Sequence, residues 1–257
     1  MSASSYDVIP DFGLLYDNVP LYAARKDIGF YVQEAVAARG AVLELGCGTG
    51  RILLPIARAG CSVVGLDNSR QMLARCQEKL SAESAPVRAR VTLHQQDLHE
   101  FGLDATFPLI IAPFRIVQHL TTVPDQMRFL ADVLRHLAPG GRFIFDVFNS
   151  NFAALVGADG VEHEDTPEQP LPDGRVFRRA ARVARVRWLD QVSETELIYY
   201  LSGQRFVQAF EMRWYLHTEL LHLLARAGFR VRDVYGDFAR GPLIDGSPEQ
   251  VVCAERA

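Results

Sequence analysis

The feature that most constrains this chain is the alternation of short β-branched runs with amphipathic stretches between residues 41 and 147. Such alternation is typical of βα units, which build a parallel sheet covered by helices. The pattern therefore predicts five strands and three helices in this segment. The strands are expected near 41–45, 62–66, 87–94, 109–113 and 141–147, and the helices near 50–59, 69–80 and 124–137.

The character of the sequence changes after Phe148. Residues 149–173 are rich in Asn, Gly, Asp, Glu and Pro, which predicts an exposed connection with little regular structure. The runs 195–201 and 205–215 are aromatic and β-branched and are separated by Ser202-Gly203-Gln204, a pattern that predicts a hairpin.

Two further stretches complete the expected organisation. In residues 175–189 the apolar side chains fall at helical spacing, but six arginines and the neighbouring hairpin favour a third antiparallel strand, which we adopt. Thr218 is the expected cap of a helix that ends at Gly228. Strands near 229–235 and 250–255 then close the chain.

Composition narrows the function classes. The chain has 27 Lys and Arg against 31 Asp and Glu, a net charge of −4, so no overall field attracts nucleic acid. The four cysteines show no Cys-x-x-Cys pair and no histidine spacing typical of zinc, so we expect no metal and a reducing compartment. No stretch approaches the roughly 18 apolar residues of a membrane span, and the N-terminus lacks a signal-peptide pattern. We therefore expect a cytoplasmic protein without membrane contact, and homodimerisation is left open.

A glycine-rich turn directly follows the first predicted strand. Gly46, Gly48 and Gly50 alternate with other residues, so the backbone can turn sharply and a ligand can approach it closely. A dinucleotide-binding turn would need its third glycine where Arg51 stands, which weakens that interpretation. A tight turn that binds no ligand remains an alternative interpretation at this point.

Acidic residues end three successive predicted strands. Glu44 lies in the first strand, and Asp67 follows 23 residues later, where a neighbouring parallel strand brings a carboxylate beside the turn. Such a carboxylate can accept hydrogen bonds from both hydroxyls of a ribose. Asp97 follows the third strand and can accept from the amino group of an adenine. Each acid alone is more often a helix cap or loop end, but the three together favour a ligand site.

These residues resemble the class I S-adenosylmethionine-dependent methyltransferases. Residues 42–51 look like the first motif of that family, 64–67 like the second and 96–98 like the third, and the resemblance covers residues 38–147. The flanks are similar, less specifically, to the small-molecule branch, which includes amino-sugar N-methyltransferases and enzymes akin to glycine N-methyltransferase. The resemblance implies an α/β fold with a doubly wound, seven-stranded, mostly parallel sheet and a small antiparallel β insertion.

The implied organisation is a single methyltransferase domain over residues 1–257. Its expected parts are an N-terminal helical lid (1–37), a Rossmann-like core (38–148 and 216–257) and a linker with the antiparallel insertion (149–215). The implied reaction is methyl transfer from S-adenosylmethionine to a small molecule, with nitrogen slightly favoured over oxygen and S-adenosylhomocysteine as product. The alternatives are a methyltransferase acting on RNA or protein, a catalytically silent cofactor-binding partner subunit and a nicotinamide oxidoreductase.

By the same resemblance, the 46–50 turn holds the methionine and ribose part of the cofactor. Asp67 binds the ribose diol, while Met72 and Leu98 sandwich the adenine. Glu44 lies near the cofactor's ammonium group. The expected cofactor-contacting residues are Tyr16, Tyr22, Glu44, Gly46, Cys47, Gly48, Gly50, Asp67, Asn68, Met72, Asp97, Leu98 and Pro113.

Catalytic and substrate-binding candidates follow the fourth predicted strand. An acceptor that must lose a proton needs a base at this edge of the sheet, and His119 is our candidate base. Arg115 and Gln118 are the expected substrate-orienting neighbours. The alternative is that His119 is a histidine on a helix surface with no catalytic role. The six arginines within 175–187 could meet an anionic substrate, but an ion-paired strand face is favoured.

Overall fold

The structure is a computed structural model that describes residues 5–257. Its strands are β1 (Val42–Leu45), β2 (Val63–Asp67), β3 (Val91–Gln95), β4 (Phe107–Ala112), β5 (Leu137–Phe148), β6 (His163–Pro170), β7 (Val176–Arg187), β8 (Val192–Leu201), β9 (Gln204–Arg213), β10 (Phe229–Tyr235) and β11 (Glu249–Arg256). Its α-helices are α1 (Phe12–Asp17), α2 (Pro20–Ala23), α3 (Ile28–Ala38), α4 (Leu53–Arg58), α5 (Arg70–Ser81), α6 (Ala85–Arg88), α7 (Val123–His136), α8 (Phe152–Val156) and α9 (His217–Arg226).

Seven strands form one sheet in the order β10-β11-β5-β4-β1-β2-β3. β1 to β5 pair in parallel, whereas β11 runs antiparallel to both β5 and β10. The predicted seven-stranded, mostly parallel sheet is confirmed. β1 is buried at all four positions because helices cover both faces of the sheet, which explains its continuous apolar run. The carboxyl ends of β1, β2 and β4 therefore meet at one edge.

Two apolar cores lie on opposite faces of the sheet. On one face, Phe129 of α7 and Leu220 of α9 pack with Phe143 of β5. On the other, Tyr31 of α3 and Leu53 of α4 pack with the central strands. Within residues 5–257, no helix combines the length and the apolar character needed to cross a bilayer.

The insertion is a second, four-stranded antiparallel sheet in the order β6-β7-β8-β9. β7 confirms the strand that we predicted over residues 175–189. The predicted hairpin is also confirmed, with Leu201 of β8 paired to Gln204 of β9. Its two-residue turn has positive φ at both Ser202 (51°) and Gly203 (78°), the pattern of a type I′ turn that matches the twist of the strands.

The prediction of little regular structure over residues 149–173 is wrong. This segment contains the short helix α8 and the strand β6, which pairs with β7 at the edge of the second sheet. β6 is polar, contains Pro167 and Pro170, and pairs with two register shifts. Those are the features that protect an exposed edge from further pairing, and they give an edge strand the composition of a loop.

Two element boundaries also differ from the prediction. The third strand begins at Val91 instead of 87, because residues 85–88 form α6, with Pro86 in its first turn. Thr218 is not the cap of α9, since the helix already begins at His217. The N–H of Leu216 instead donates to the carboxylate of Glu219 at 3.4 Å, which satisfies an amide at the helix start.

The six arginines of residues 175–187 are all ion-paired, which agrees with the predicted ion-paired strand face. Arg178, Arg182, Arg185 and Arg187 pair with acids of the second sheet or of the turn after β7, and Arg175 pairs with Asp173 and Asp11. Arg179 differs from the others because its side chain is only 2% exposed. It donates to both carboxylate oxygens of Asp165, each at 2.9 Å, and to the Tyr22 hydroxyl at 2.5 Å.

A buried ion cluster joins the N-terminal segment to the main sheet. We define it as Arg25, Asp27, Arg51, Asp146 and Glu249. Asp27 has no exposed surface and accepts two hydrogen bonds from Arg51, each at 2.6 Å, and one from Arg25 at 2.8 Å. Arg25 also donates to Asp146 at 2.6 Å and to Glu249 at 2.7 Å. Although burial opposes the shift, the hydrogen bonds from Arg51 and Arg25 hold the pKa of Asp27 below its usual value.

We expect Asp27→Ala to lower the free energy of unfolding by about 3–5 kcal/mol, because it leaves buried guanidinium charge without its partner. Urea unfolding at pH 7 measures the change. The matched control is Glu83→Gln, which removes the charge from the surface pair of Arg58 and Glu83 and should lower the free energy of unfolding by less than about 1 kcal/mol. Equal effects of the two substitutions would contradict the importance of the buried ion cluster.

Candidate functional site

A cavity of about 280 Å³ lies where β1, β2 and β4 end. It brings together most of the residues that the sequence singled out. The predicted residues that line it are Tyr16, Glu44, Gly46, Cys47, Gly48, Asp67, Asn68, Met72, Asp97, Leu98, Pro113 and His119.

The glycine-rich turn forms the floor of the cavity. The amides of Gly46 and Cys47 both donate to the carbonyl of Leu66 in β2, at 2.8 and 2.9 Å, which fixes the turn against the neighbouring strand. Gly46 has φ +71°, and a Cβ there would lie 2.3 Å from Cδ1 of Ile116. Glycine is therefore required at this position by both backbone conformation and space.

Asp67, at the end of β2, holds the same turn through its side chain. Its Oδ2 accepts from the Gly48 amide at 2.8 Å, and its Oδ1 accepts from the Ser69 amide at 2.9 Å. Burial raises the pKa of Asp67 from 3.8 to about 6, although the hydrogen bonds from Ser69 and Gly48 oppose the shift. A partner that donates further hydrogen bonds to this carboxylate would stabilise its ionised form.

Glu44 places a buried carboxyl group in the cavity wall. It lies in the middle of the sheet, opposite Gly65 of β2 and Ile111 of β4. Its Oε2 has no hydrogen-bond partner among residues 5–257. Burial raises the pKa of Glu44 well above its ordinary value. A buried polar oxygen without a partner is costly, and a cationic or donor group of a ligand would satisfy it.

One end of the cavity combines apolar walls with a carboxylate. Met72 lies in the first turn of α5, where Ser69 caps the helix by accepting from the Met72 amide at 3.2 Å. Asp97 accepts from Nδ1 of His99 at 2.7 Å. Although partial burial opposes the shift, the hydrogen bonds from His99 lower the pKa of Asp97. With Leu98, these residues fit the flat, apolar faces and the donor edge of a nucleobase.

His119 lies at the end of a 3-10 turn, Ile116–His119, that follows β4. Its ring stands 5.6 Å from that of Phe210 in β9, so the second sheet covers this part of the cavity. Burial lowers the pKa of His119 from 6.5 to about 4, while a hydrogen bond with the Glu211 backbone opposes the shift. The imidazole is therefore neutral at pH 7.

Four of the predicted residues do not line the cavity. A Cβ on Gly50 would lie 2.7 Å from Sγ of Cys76, so Gly50 serves the packing of the turn against α5. Tyr22 stacks behind Tyr16, with ring centroids 4.6 Å apart. The Arg115 guanidinium donates to Glu249 at 3.0 Å.

Gln118 is fully buried, and its amide is used within the fold. Its Nε2 donates to the Arg213 carbonyl at 2.7 Å, and its Oε1 accepts from the Phe148 amide at 3.0 Å. In a 3-10 turn, side chains three residues apart share a face. Ile116 and His119 accordingly both line the cavity, whereas Arg115 and Gln118 do not.

Sequence reasoning missed several residues of the cavity wall. They are Tyr6, Thr49, Arg51, Ile52, His99, Phe114, Ile116 and Leu120. Most of them lie beside a residue that was predicted, so proximity along the chain could have found them. Tyr6 carried no such signal, because only the packing of the N-terminal segment brings it to the cavity.

Comparisons with known proteins agree with this geometry. Residues 42–141 match a family model described as a methyltransferase domain. The putative methyltransferase YqeM of Bacillus subtilis (strain 168) is 27% identical over 231 residues, 88% of this chain and 88% of that protein. The dTDP-3-amino-3,4,6-trideoxy-alpha-D-glucopyranose N,N-dimethyltransferase of Streptomyces venezuelae is 29% identical over 168 residues, 64% of each chain.

Solved structures share the whole architecture. The CcbJ methyltransferase from Streptomyces caelestis superposes with a TM-score of 0.77 at 24% identity, over 99% of this chain and 98% of that one. Further structures with this fold contain bound S-adenosylmethionine. The sheet order and the antiparallel insertion show that the fold is shared with these structures, and residues 42–141 match the methyltransferase domain. The chain is an S-adenosylmethionine-dependent methyltransferase, as its motifs predict.

We expect the affinity for S-adenosylhomocysteine to fall as the pH drops below 6. The ribose hydroxyls would donate to ionised Asp67, whose pKa in the cofactor-free protein is about 6, so binding below that pH must release a proton. The proton on Asp67 contributes no pH dependence above pH 6, and below pH 6 it should lower the affinity by up to about tenfold per unit. Titration calorimetry between pH 5 and 8 measures the profile.

The matched control for this profile is Asp67→Asn, which has no proton to lose at this position. We expect it to bind more weakly at pH 7.5 and to lack the decline associated with a pKa near 6. A wild-type dissociation constant that stays the same from pH 8 to pH 5 would contradict the role of Asp67.

Proposed function

We propose that this enzyme transfers the methyl group of S-adenosylmethionine to the nitrogen of a small polar amine of the amino-sugar kind. The bond from sulfur to the methyl carbon breaks as the nitrogen lone pair forms the new bond, and the sulfur leaves as the thioether of S-adenosylhomocysteine. The observation that carries the proposal is the position of His119, whose ring lines the part of the cavity covered by Phe210 of β9. The 29% identical amino-sugar dimethyltransferase supports the choice of acceptor.

The cavity wall fits the cofactor in three places. Asp67 would accept from the ribose hydroxyls, and the free oxygen of Glu44 would meet the ammonium group. Met72 and Leu98 would contact the adenine, whose amino group would donate to Asp97. The cofactor supplies a methyl group on a cationic sulfur, and these residues bind and orient it.

Aromatic side chains enclose the cavity and favour a small acceptor. The rings of Tyr16 and Phe114 both line it and stand 6.3 Å apart, edge to face. The Tyr22 ring packs against both of these rings, and its hydroxyl accepts a hydrogen bond from buried Arg179. Such an enclosure excludes water, which strengthens electrostatic interactions and helps to hold the reacting atoms in line.

The lowered pKa of His119 restricts what this residue can do. An alkylammonium ion ordinarily has a pKa near that of lysine, about 10, which is far above the value of about 4 for His119. The imidazole therefore does not deprotonate an ammonium ion, and the acceptor must enter as the neutral amine. His119 can accept a hydrogen bond from an amine N–H and so aim the lone pair at the methyl group. Its neutrality also avoids a second cation beside the sulfonium.

The proposal is tested by offering the enzyme a panel of acceptors with S-adenosylmethionine. The panel contains 3-amino and 4-amino sugars, free and dTDP-linked, together with matched sugars that carry only hydroxyls, simple phenols, a structured RNA and a peptide. Release of S-adenosylhomocysteine gives the rate, and mass spectrometry locates the new methyl group. We expect N-methylated amino sugars. Methylation only of the hydroxyl compounds, the RNA or the peptide, or no turnover with any acceptor, would overturn the proposal.

We expect His119→Ala to lower kcat about tenfold, the effect of losing one hydrogen bond of about 1.5 kcal/mol, with little change in cofactor affinity. His119→Gln, which retains an acceptor oxygen, should recover part of the rate. For both wild type and variants, kcat/KM should rise with pH toward the pKa of the amine, without an inflection near 6.5. A wild-type inflection at 6–7 that disappears in His119→Ala would instead show that His119 titrates as a base.

A further inference from the structure

A short loop after β3 supplies three consecutive residues of the cavity wall, Asp97, Leu98 and His99. The side chain of Gln96 closes this loop. Its Nε2 donates to the Gly102 carbonyl at 3.1 Å, and its Oε1 accepts from the Gly102 amide at 3.0 Å. The closed loop therefore keeps Asp97 and His99 together at the cavity wall.

The Asp97 carboxylate receives two hydrogen bonds from His99. Its Oδ1 accepts from the His99 backbone amide at 3.0 Å and from Nδ1 of the imidazole at 2.7 Å. Because an ionised carboxylate only accepts, Nδ1 carries the hydrogen of this bond. A side-chain hydrogen bond with Asn68, which also lines the cavity, adds to these two. A carboxylate has about four acceptor sites, so Asp97 can still accept from a ligand.

The two carboxylates of the cavity wall are held in different ways. Asp67 accepts on each of its oxygens from a backbone amide, those of Gly48 and Ser69, so the main chain alone fixes its orientation. At Asp97, the shorter of the two bonds from His99 comes from the imidazole, and a short bond to an ionised group is a strong one. The orientation of Asp97 therefore depends on which side chain occupies position 99.

We infer that His99 is a positioning residue that orients the Asp97 carboxylate toward the amino group of the cofactor's adenine. This inference rests on the placement of the adenine in the proposed function and deepens it. The 6-amino group distinguishes adenine from unsubstituted purine, which has no hydrogen to donate there. A carboxylate that is held in one direction recognises that group, whereas a carboxylate that rotates freely loses part of the selectivity. His99 thus acts on the cofactor through Asp97.

The test compares the binding of S-adenosylhomocysteine with that of its 6-deamino analogue, in which purine replaces adenine. Titration calorimetry gives both dissociation constants, and their ratio is the preference for the amino group. We expect a wild-type preference of at least about tenfold, the effect of one hydrogen bond to a charged group. In His99→Ala the preference should fall at least about threefold, a modest loss because the His99 side chain is half-exposed. Comparing two ligands across the variants isolates the effect of His99 on the amino group.

Further variants separate positioning from other roles of His99. His99→Asn retains a side-chain donor near the place of Nδ1 and should recover most of the preference, whereas His99→Phe retains a ring without a donor and should behave like His99→Ala. Asp97→Ala should lose the preference. The matched control is His163→Ala, which removes another exposed pair of a histidine and an aspartate, with Asp159, and should keep the wild-type preference. The melting temperatures of the ligand-free variants at position 99 should equal that of the wild type.

The outcomes separate this inference from the proposed function. An unchanged preference in His99→Ala, together with a lost preference in Asp97→Ala, would overturn the role of His99 and leave the adenine at Asp97. Recovery in His99→Phe but not in His99→Asn would show that the ring contacts the purine itself, which also overturns the inference. A wild type that binds both compounds equally, or neither, would overturn the inference and the adenine placement together. The acceptor panel tests amine methylation independently of these results.

Discussion

A single buried carboxylate, Asp27, determines how the N-terminal segment and the cavity are built together. It accepts hydrogen bonds from Arg25 and from Arg51, which lies directly after the glycine-rich turn. Arg25 also donates to Asp146 of β5 and Glu249 of β11. Burying Asp27 alone would be very costly, and two guanidinium groups with good geometry offset that cost. Arg51 belongs both to this buried ion cluster and to the cavity wall. The docked N-terminal segment therefore fixes the position of Arg51 in this part of the wall.

The electrostatics of the cavity follow from its low polarity. Burial raises the pKa of Glu44 and Asp67 and lowers the pKa of His119, so each group is shifted toward its neutral form. A cationic ligand beside Glu44 would reverse the first effect and leave a compensated charge pair. The same ligand would keep His119 neutral.

The sequence predicted those parts of the structure whose signals are local. The turn from Gly46 to Gly50 and the acid Asp67 could be found because backbone conformation and strand order alone bring them together. Gln118 was assigned to the substrate because it adjoins His119, but neighbours on a 3-10 turn face different directions. β6 was missed because its edge position favours polar residues and proline, which are also typical of loops. Gln118 is held by distant residues, the Arg213 carbonyl and the Phe148 amide, whereas β6 was missed because its own composition is ambiguous.

The same distinction separates the two ends of the cavity. At the end formed by the glycine-rich turn and Asp67, the groups lie at the ends of adjacent strands, where any change in one strand would disturb the sheet that carries the others. At the end lined by His119, the covering residue Phe210 comes from an inserted sheet whose strands, within residues 5–257, pair only with one another. That sheet can change its inward-facing side chains without altering the register of the main sheet. The part of the cavity that β9 covers can therefore vary, while the main sheet and the end of the cavity beside Asp67 stay constant.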